Sequence, residues 1–139
     1  MSEPIGVVVI SHGTLAEGLV AASTMILGES ENLIPLCFTE DVDPDEFGEK
    51  INETVTSFSS GCIVLCDLTG GTPFNQLLLA TPFDAYKAVA GVNLNMLMEV
   101  LSERDDCTVD ELVQTAVEAG NAGIVDVSEL MAKRLNNSK

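Results

Sequence analysis

The chain has 139 residues, 46% of them hydrophobic, and its 6 Lys and Arg stand against 22 Asp and Glu for a formal net charge of −16. That length buries an ordinary core in one domain and would cramp two. The charge argues against nucleic acid and anionic membrane surfaces, which would repel the chain, and favours a basic protein partner. No basic segment with a signal-like core opens the sequence, and no apolar run approaches the ~18 to 20 residues that span a bilayer. A cytoplasmic location is expected.

In chain order, Ile5–Ile10 is β-branched and continuous, the pattern of a strand covered on both faces. Thr14 and Glu17 have capping-box spacing, and Leu15, Leu19, Ala22 and Ile26 then share a helical face until Gly28. Leu33–Phe38 predicts a second strand, which Pro35 pushes to the sheet edge. Asp43 and Pro44 supply a cap and first turn for a helix carrying Phe47, Ile51, Val55 and Phe58, ended by Gly61. Cys62–Leu68 predicts a third strand, with Thr72 and Pro73 as N-cap and first position of a helix over Phe74–Ala80.

Tyr86–Ala90 predicts a fourth strand, and Gly91-Val92-Asn93 leads into a helix bearing Leu94, Leu97, Met98 and Leu101. Thr108 and Glu111 form a second capping box, for a helix with Val109, Leu112, Val113, Ala116 and Val117 inward and Gly120 as its stop. Gly123–Val127 predicts a last short strand, and the tail from Ser128 fits either a frayed helix or a linker. This alternation predicts an α/β three-layer sandwich, a mainly parallel sheet flanked by helices. In the flavodoxin-like strand order the first and third strands are neighbours, and the crevice between their carboxyl ends carries His12 and Asp67.

His12 is the only histidine, placed between a buried run and Gly13. A satisfied polar residue at a strand end is the plain reading of a single histidine, but the glycine and the switch-point position favour a functional one. Asp67 alone reads as a loop cap, and Gly70-Gly71-Thr72-Pro73 alone as a turn. Together the two motifs aim two helix N-termini at one crevice, an arrangement that binds anions, phosphate above all. Gly13, Gly70 and Gly71 admit close backbone approach, and Thr72 offers a hydroxyl. Lys50, Lys87, Arg104, Lys133, Arg134 and Lys139 all lie outside both motifs in sequence, so mainly backbone amides and hydroxyls would hold the anion unless folding or a partner brings a cation over. A carboxylate on one imidazole nitrogen fixes the tautomer and makes the other nitrogen the stronger nucleophile. Attack on a phosphoryl group would then give a phosphohistidine.

Cys37, Cys62, Cys66 and Cys107 show no C-x-x-C spacing and read as reduced core residues. Neither a metal nor an organic cofactor is expected, because His12 with Cys62 and Cys66 lacks the close ligand pairs of a zinc site. Met96 and Met98 read as core fillers, and the acidic segments Glu40–Glu46 and Glu103–Asp106 as solvated loops.

SHGTLAEGL, DLTGGTPFN and VAGVNLNMLMEVL, in that order, resemble the enzyme IIA domains of the mannose family of the bacterial phosphoenolpyruvate:sugar phosphotransferase system. The resemblance covers nearly the whole chain. It implies a homodimer whose parallel sheet is extended by an exchanged strand. It also implies that His12 accepts a phosphoryl group from the phosphocarrier HPr and passes it to enzyme IIB, serving membrane sugar-transport components indirectly. Asp67 would assist the histidine, and Thr72 would lie close to the phosphate. Residues 1–128 would form the enzyme IIA domain and 129–139 a tail, and an end at Lys139 favours a separate IIB protein. One departure is Asn95, where the family often has proline; Asn95 still allows a helix start. The related dihydroxyacetone-kinase donor subunits resemble SHS at the first site and lack GGTPFN. Three other classes make different demands. A flavin or nucleotide module would want a Rossmann glycine fingerprint after the first strand, a His-Asp hydrolase a G-x-S-x-G elbow, and a receiver-like domain a magnesium-binding acidic cluster.

Overall fold

A computed structural model describes residues 3–137. Met1, Ser2, Ser138 and Lys139, at the outer ends of the expected domain and tail, lie outside the described residues. Four strands, β1 (Gly6–His12), β2 (Leu33–Phe38), β3 (Cys62–Cys66) and β4 (Lys87–Ala90), form a sheet of order β2-β1-β3-β4. Every pairing is parallel, so the expected flavodoxin-like order holds. The helices are α1 (Leu15–Leu27), α2 (Pro44–Val55), α3 (Gly71–Ala80), α4 (Leu94–Glu103), α5 (Val109–Ala122) and α6 (Val127–Asn137).

Side chains of consecutive strand residues point to opposite faces, and this divides the core. Val7, Val9, Ile63, Leu65 and Val89 pack with Ala16 of α1, Leu97 and Val100 of α4, and Leu112 and Ala116 of α5. Val8, Ile10, Cys62, Val64 and Cys66 pack with Phe47, Ile51 and Val55 of α2 and Leu77 of α3. Burial on both faces explains why β1 and β3 read as unbroken apolar runs. Leu65 and Leu97 are fully buried, and truncating either to alanine costs roughly 2–5 kcal/mol of a total stability near 5–15 kcal/mol. β2, with Pro35, takes the edge.

Several local expectations are corrected. Thr14 stands at the N-cap of α1 but makes no side-chain cap bond; the Ala16 amide donates instead to buried Ser11 Oγ at 2.7 Å. This tether turns α1 so that Ala16 and Ser23 face inward, while Leu15 and Ile26 are exposed. α3 starts at Gly71 with Gly70 as its N-cap, so Thr72 lies in its first turn and is not its cap. β3 ends at Cys66, short of Leu68. Gly120 does not stop α5. It is buried within the helix, where a Cβ would come within 2.7 Å of Met96 Cε, so the Met96 side chain of α4 packs over it. Val117 is exposed rather than inward.

No strand forms over 123–127. The Glu129 amide donates to Asp126 Oδ1 at 3.1 Å, and this local capping pattern starts α6 instead. No residue of α6 is buried. The Asp43 cap of α2 and the Thr108–Glu111 capping box of α5 form as expected. Asn95 sits in the first turn of α4, and its Nδ2 donates to the Ala119 carbonyl of α5 at 2.7 Å, a link that proline could not make.

Candidate functional site

The sheet register brings the two motifs together. Ile10 pairs with Cys66, and the Asp67 amide donates to the Ile10 carbonyl at 3.1 Å, so Asp67 emerges beside the end of β1. Asp67 Oδ2 accepts the His12 amide at 2.9 Å and lies 2.8 Å from His12 Nδ1. Asp67 Oδ1 accepts the Leu68 amide at 2.9 Å. On the other side of His12, the Gly13 amide donates to the Phe38 carbonyl at 2.8 Å and continues the β1–β2 pairing past the strand.

The two side chains differ in access: His12 is 45% exposed and Asp67 8%. Burial works to raise the Asp67 carboxyl. Hydrogen bonds from the His12 amide and ring, the His12 charge and the Leu68 amide outweigh it and hold the group below the usual carboxylate range. An ionised carboxylate can only accept, so Nδ1 carries a proton, and in the neutral form of the ring the lone pair is on Nε2.

Gly71 stands against the Nε2 edge of the ring. A Cβ there would lie 2.8 Å from His12 Cε1 and 3.0 Å from Nε2, and the Gly71 φ of +79° is itself in the left-handed region. The N-terminus of α3 therefore abuts the free nitrogen. No side chain caps that helix, so the Gly71 and Thr72 amides of its first turn have no side-chain cap. Gly70 and Thr72 flank Gly71 in the chain, and Gly13 follows the histidine on its open side. Past Gly13 a groove of about 570 Å³ is lined by His12, Gly13, Phe38, Thr39, Glu40 and Asp41. Apart from His12 itself, none of these residues is basic.

Other chemistry is weak here. Burial, with help from the Asp67 charge, pushes the Cys66 thiol to about 12, and burial alone does the same to Cys62. Neither is a nucleophile near neutral pH. Sequence reasoning expected His12 and Asp67 at one crevice, where the structure brings them together, but missed two neighbouring features. Ser11 fixes the start of α1, and only its place just before the histidine hinted at this. The groove at Phe38–Asp41 follows a strand end at the same edge of the sheet, which was the available signal.

Comparison with known proteins accords with this geometry. A family described as PTS system fructose IIA component matches residues 6–117. The mannose-specific EIIAB component of Escherichia coli (strain K12) is 37% identical over 124 residues, covering 86% of this chain and 38% of that protein. This chain thus spans under two fifths of that relative's length. The fructose-specific EIIA component of Bacillus subtilis (strain 168) is 32% identical over 112 residues, covering 78% of this chain and 77% of that one. The crystal structure of phosphotransferase system component EIIA from Streptococcus agalactiae superposes with a TM-score of 0.82 at 31% identity, covering 90% of this chain and 98% of that one.

Proposed function

The chain belongs to the mannose and fructose EIIA family of the sugar phosphotransferase system, and from that premise we propose that it is a phosphotransferase whose His12 carries the phosphoryl group between HPr and enzyme IIB. One observation supports the residue assignment: Asp67 occupies Nδ1 at 2.8 Å, leaving the Nε2 edge of a half-exposed ring beside the N-terminus of α3.

In this reading the Nε2 lone pair attacks phosphorus as the bond to HPr breaks, its electron pair leaving with HPr. Asp67 stabilises the positive charge that develops on the ring, without taking its proton. The three phosphoryl oxygens meet Gly13 and the α3 start at Gly70 and Gly71, with the Thr72 hydroxyl alongside. In the second step enzyme IIB forms the new bond to phosphorus, and the His12 lone pair is restored. Neither step calls on a metal or organic cofactor.

The reading extends to assembly and place. The outer edge of β4 is unpaired in the sheet, and Ile124 and Val125, in the segment expected to be a strand, are exposed. A homodimer that exchanges this segment would cover both, with residues 1–128 as the domain and 129–139 as a tail. Among the described residues no helix is long and apolar enough to cross a membrane. We place the protein in the cytoplasm, beside the transporter it serves.

The test is incubation with phosphoenolpyruvate, enzyme I and HPr, followed by intact mass. One acid-labile phosphoryl group that requires HPr, disappears in His12→Ala, and is discharged by enzyme IIB is the expected result. Asp67→Ala should slow its formation by about 10²-fold or more. An unmodified wild-type protein beside an active HPr would overturn the reading.

A further inference from the structure

From His12 into α1, three backbone amides are committed to the protein. The His12 amide donates to Asp67 Oδ2 at 2.9 Å, the Gly13 amide to the Phe38 carbonyl at 2.8 Å, and the Ala16 amide to Ser11 Oγ at 2.7 Å. Thr14 and Leu15 lie between the second and third of these pins. Both are exposed, and neither amide has an acceptor among the described residues. They are also the N-cap and first residue of a 13-residue helix, where the backbone presents its positive end.

The anchor of this helix start lies outside the loop. An N-cap side chain ordinarily takes an amide of the first turn from an extended backbone. Thr14 has φ −96° and ψ 15° and makes no such bond. Ser11, fully buried and paired with Cys37 of β2, supplies the oxygen instead. A cap in a loop moves with its loop, whereas a cap on a strand ties the helix start to the sheet. The sheet also places His12, the next residue, and through the β1–β3 pairing it places Asp67. Histidine, carboxylate and the start of α1 therefore share one rigid frame.

Resting on the phosphorelay reading, we propose that Ser11 is a positioning residue for phosphoryl transfer. Its hydroxyl takes the Ala16 amide and so holds the Thr14 and Leu15 amides, uncommitted, beside His12 for the phosphoryl oxygens. They add to the donors at Gly13 and the start of α3. Ser11 itself touches no substrate and acts through the backbone of α1.

The experiment compares wild type, Ser11→Ala, Ser11→Thr, which keeps the hydroxyl, and Ser23→Ala. The last removes a comparably buried hydroxyl from the same helix, one that donates to the Val20 carbonyl at 2.9 Å. Each is phosphorylated by phospho-HPr over a range of concentrations and, separately, carbethoxylated at His12 with diethyl pyrocarbonate, which needs an open imidazole nitrogen but no phosphate site. Ser11→Ala should lose about tenfold in limiting single-turnover rate, with the half-saturating phospho-HPr concentration little changed. Its carbethoxylation should match wild type, Ser11→Thr should recover most of the loss, and Ser23→Ala should transfer at the wild-type rate. A wild-type rate in Ser11→Ala, an equal loss of carbethoxylation, or an equal loss in Ser23→Ala would overturn the positioning role. A second measurement needs no variant. On phosphorylation of isotope-labelled wild type, the Thr14 and Leu15 amide resonances should shift strongly and that of Ala16 little, and unmoved Thr14 and Leu15 resonances would overturn the proposal. Wild type that takes no phosphoryl group from active phospho-HPr would remove the phosphorelay reading beneath it.

Discussion

Four helices begin at the same edge of the sheet, and their first turns are built in two ways. α2 and α4, which follow the outer strands β2 and β4, start on side chains that close the turn: Asp43 accepts two amides, and Asn93 accepts the Met96 amide. α1 and α3 follow the central strands, and neither is capped by its N-cap side chain. α1 borrows Ser11 from the strand for one amide, whereas α3 begins on two glycines with left-handed backbone and no donor or acceptor side chain. A capped helix is finished; an uncapped one beside a nucleophile keeps its amides for a ligand. On the proposed phosphorelay reading, phosphate chemistry in this fold is assigned by where caps are withheld as much as by where His12 stands.

Gly71→Ala presses hardest on that comparison. Its Cβ would collide with the ring edge of His12 and its φ would be strained, so phosphoryl transfer should fall by about 10²-fold, with roughly 1 kcal/mol or more of lost stability. A rate near wild type would mean that α3 does not abut the reacting nitrogen. On the capped side, Asn93→Ala should cost about 1 kcal/mol or more in urea unfolding through loss of the α4 cap, with the transfer rate unchanged. A slowed transfer there would show that the two kinds of helix start are not independent.

The pH dependence of Asp67 is a finer test. Its folded carboxyl lies below its ordinary value, so the unfolded chain binds more protons through that range. The stability it contributes is fully present above about pH 3.9 and is lost as pH falls through the lower folded value. The stability gap between wild type and Asp67→Asn should therefore narrow in acid. Smallest of all, native-state thiol labelling should leave Cys62 and Cys66 untouched near neutral pH, since burial holds both thiols near 12.

His12 and Asp67 could be found in the sequence because strand, glycine and helix recur in order, and a parallel sheet places successive strand ends along one edge. The rotation of α1 could not: Leu15, Ala16, Leu19, Val20, Ala22, Ile26 and Leu27 offer two overlapping faces, and Ser11, outside the helix, selects between them. The start of α3 depends on the left-handed backbone of Gly70 and Gly71, which composition permits but does not dictate. Ile124-Val125-Asp126-Val127 has the β-branched content of a strand, yet within this chain Asp126 reaches the Glu129 amide and a helix begins. Gly120 reads as punctuation until Met96 is seen against it.

The two ends of His12 live on different clocks. Its amide, bonded to Asp67 at the close of a buried strand, should exchange with deuterium only when the β1–β3 pairing opens, on the slow scale of sheet unfolding. Its ring meets solvent continuously, yet the same carboxylate that holds the amide also holds Nδ1, so the ring does not wander through its rotamers between encounters. If His12 is the phosphoryl carrier proposed above, the entropy of aiming it is given up once, when the chain folds, and not again at each turnover.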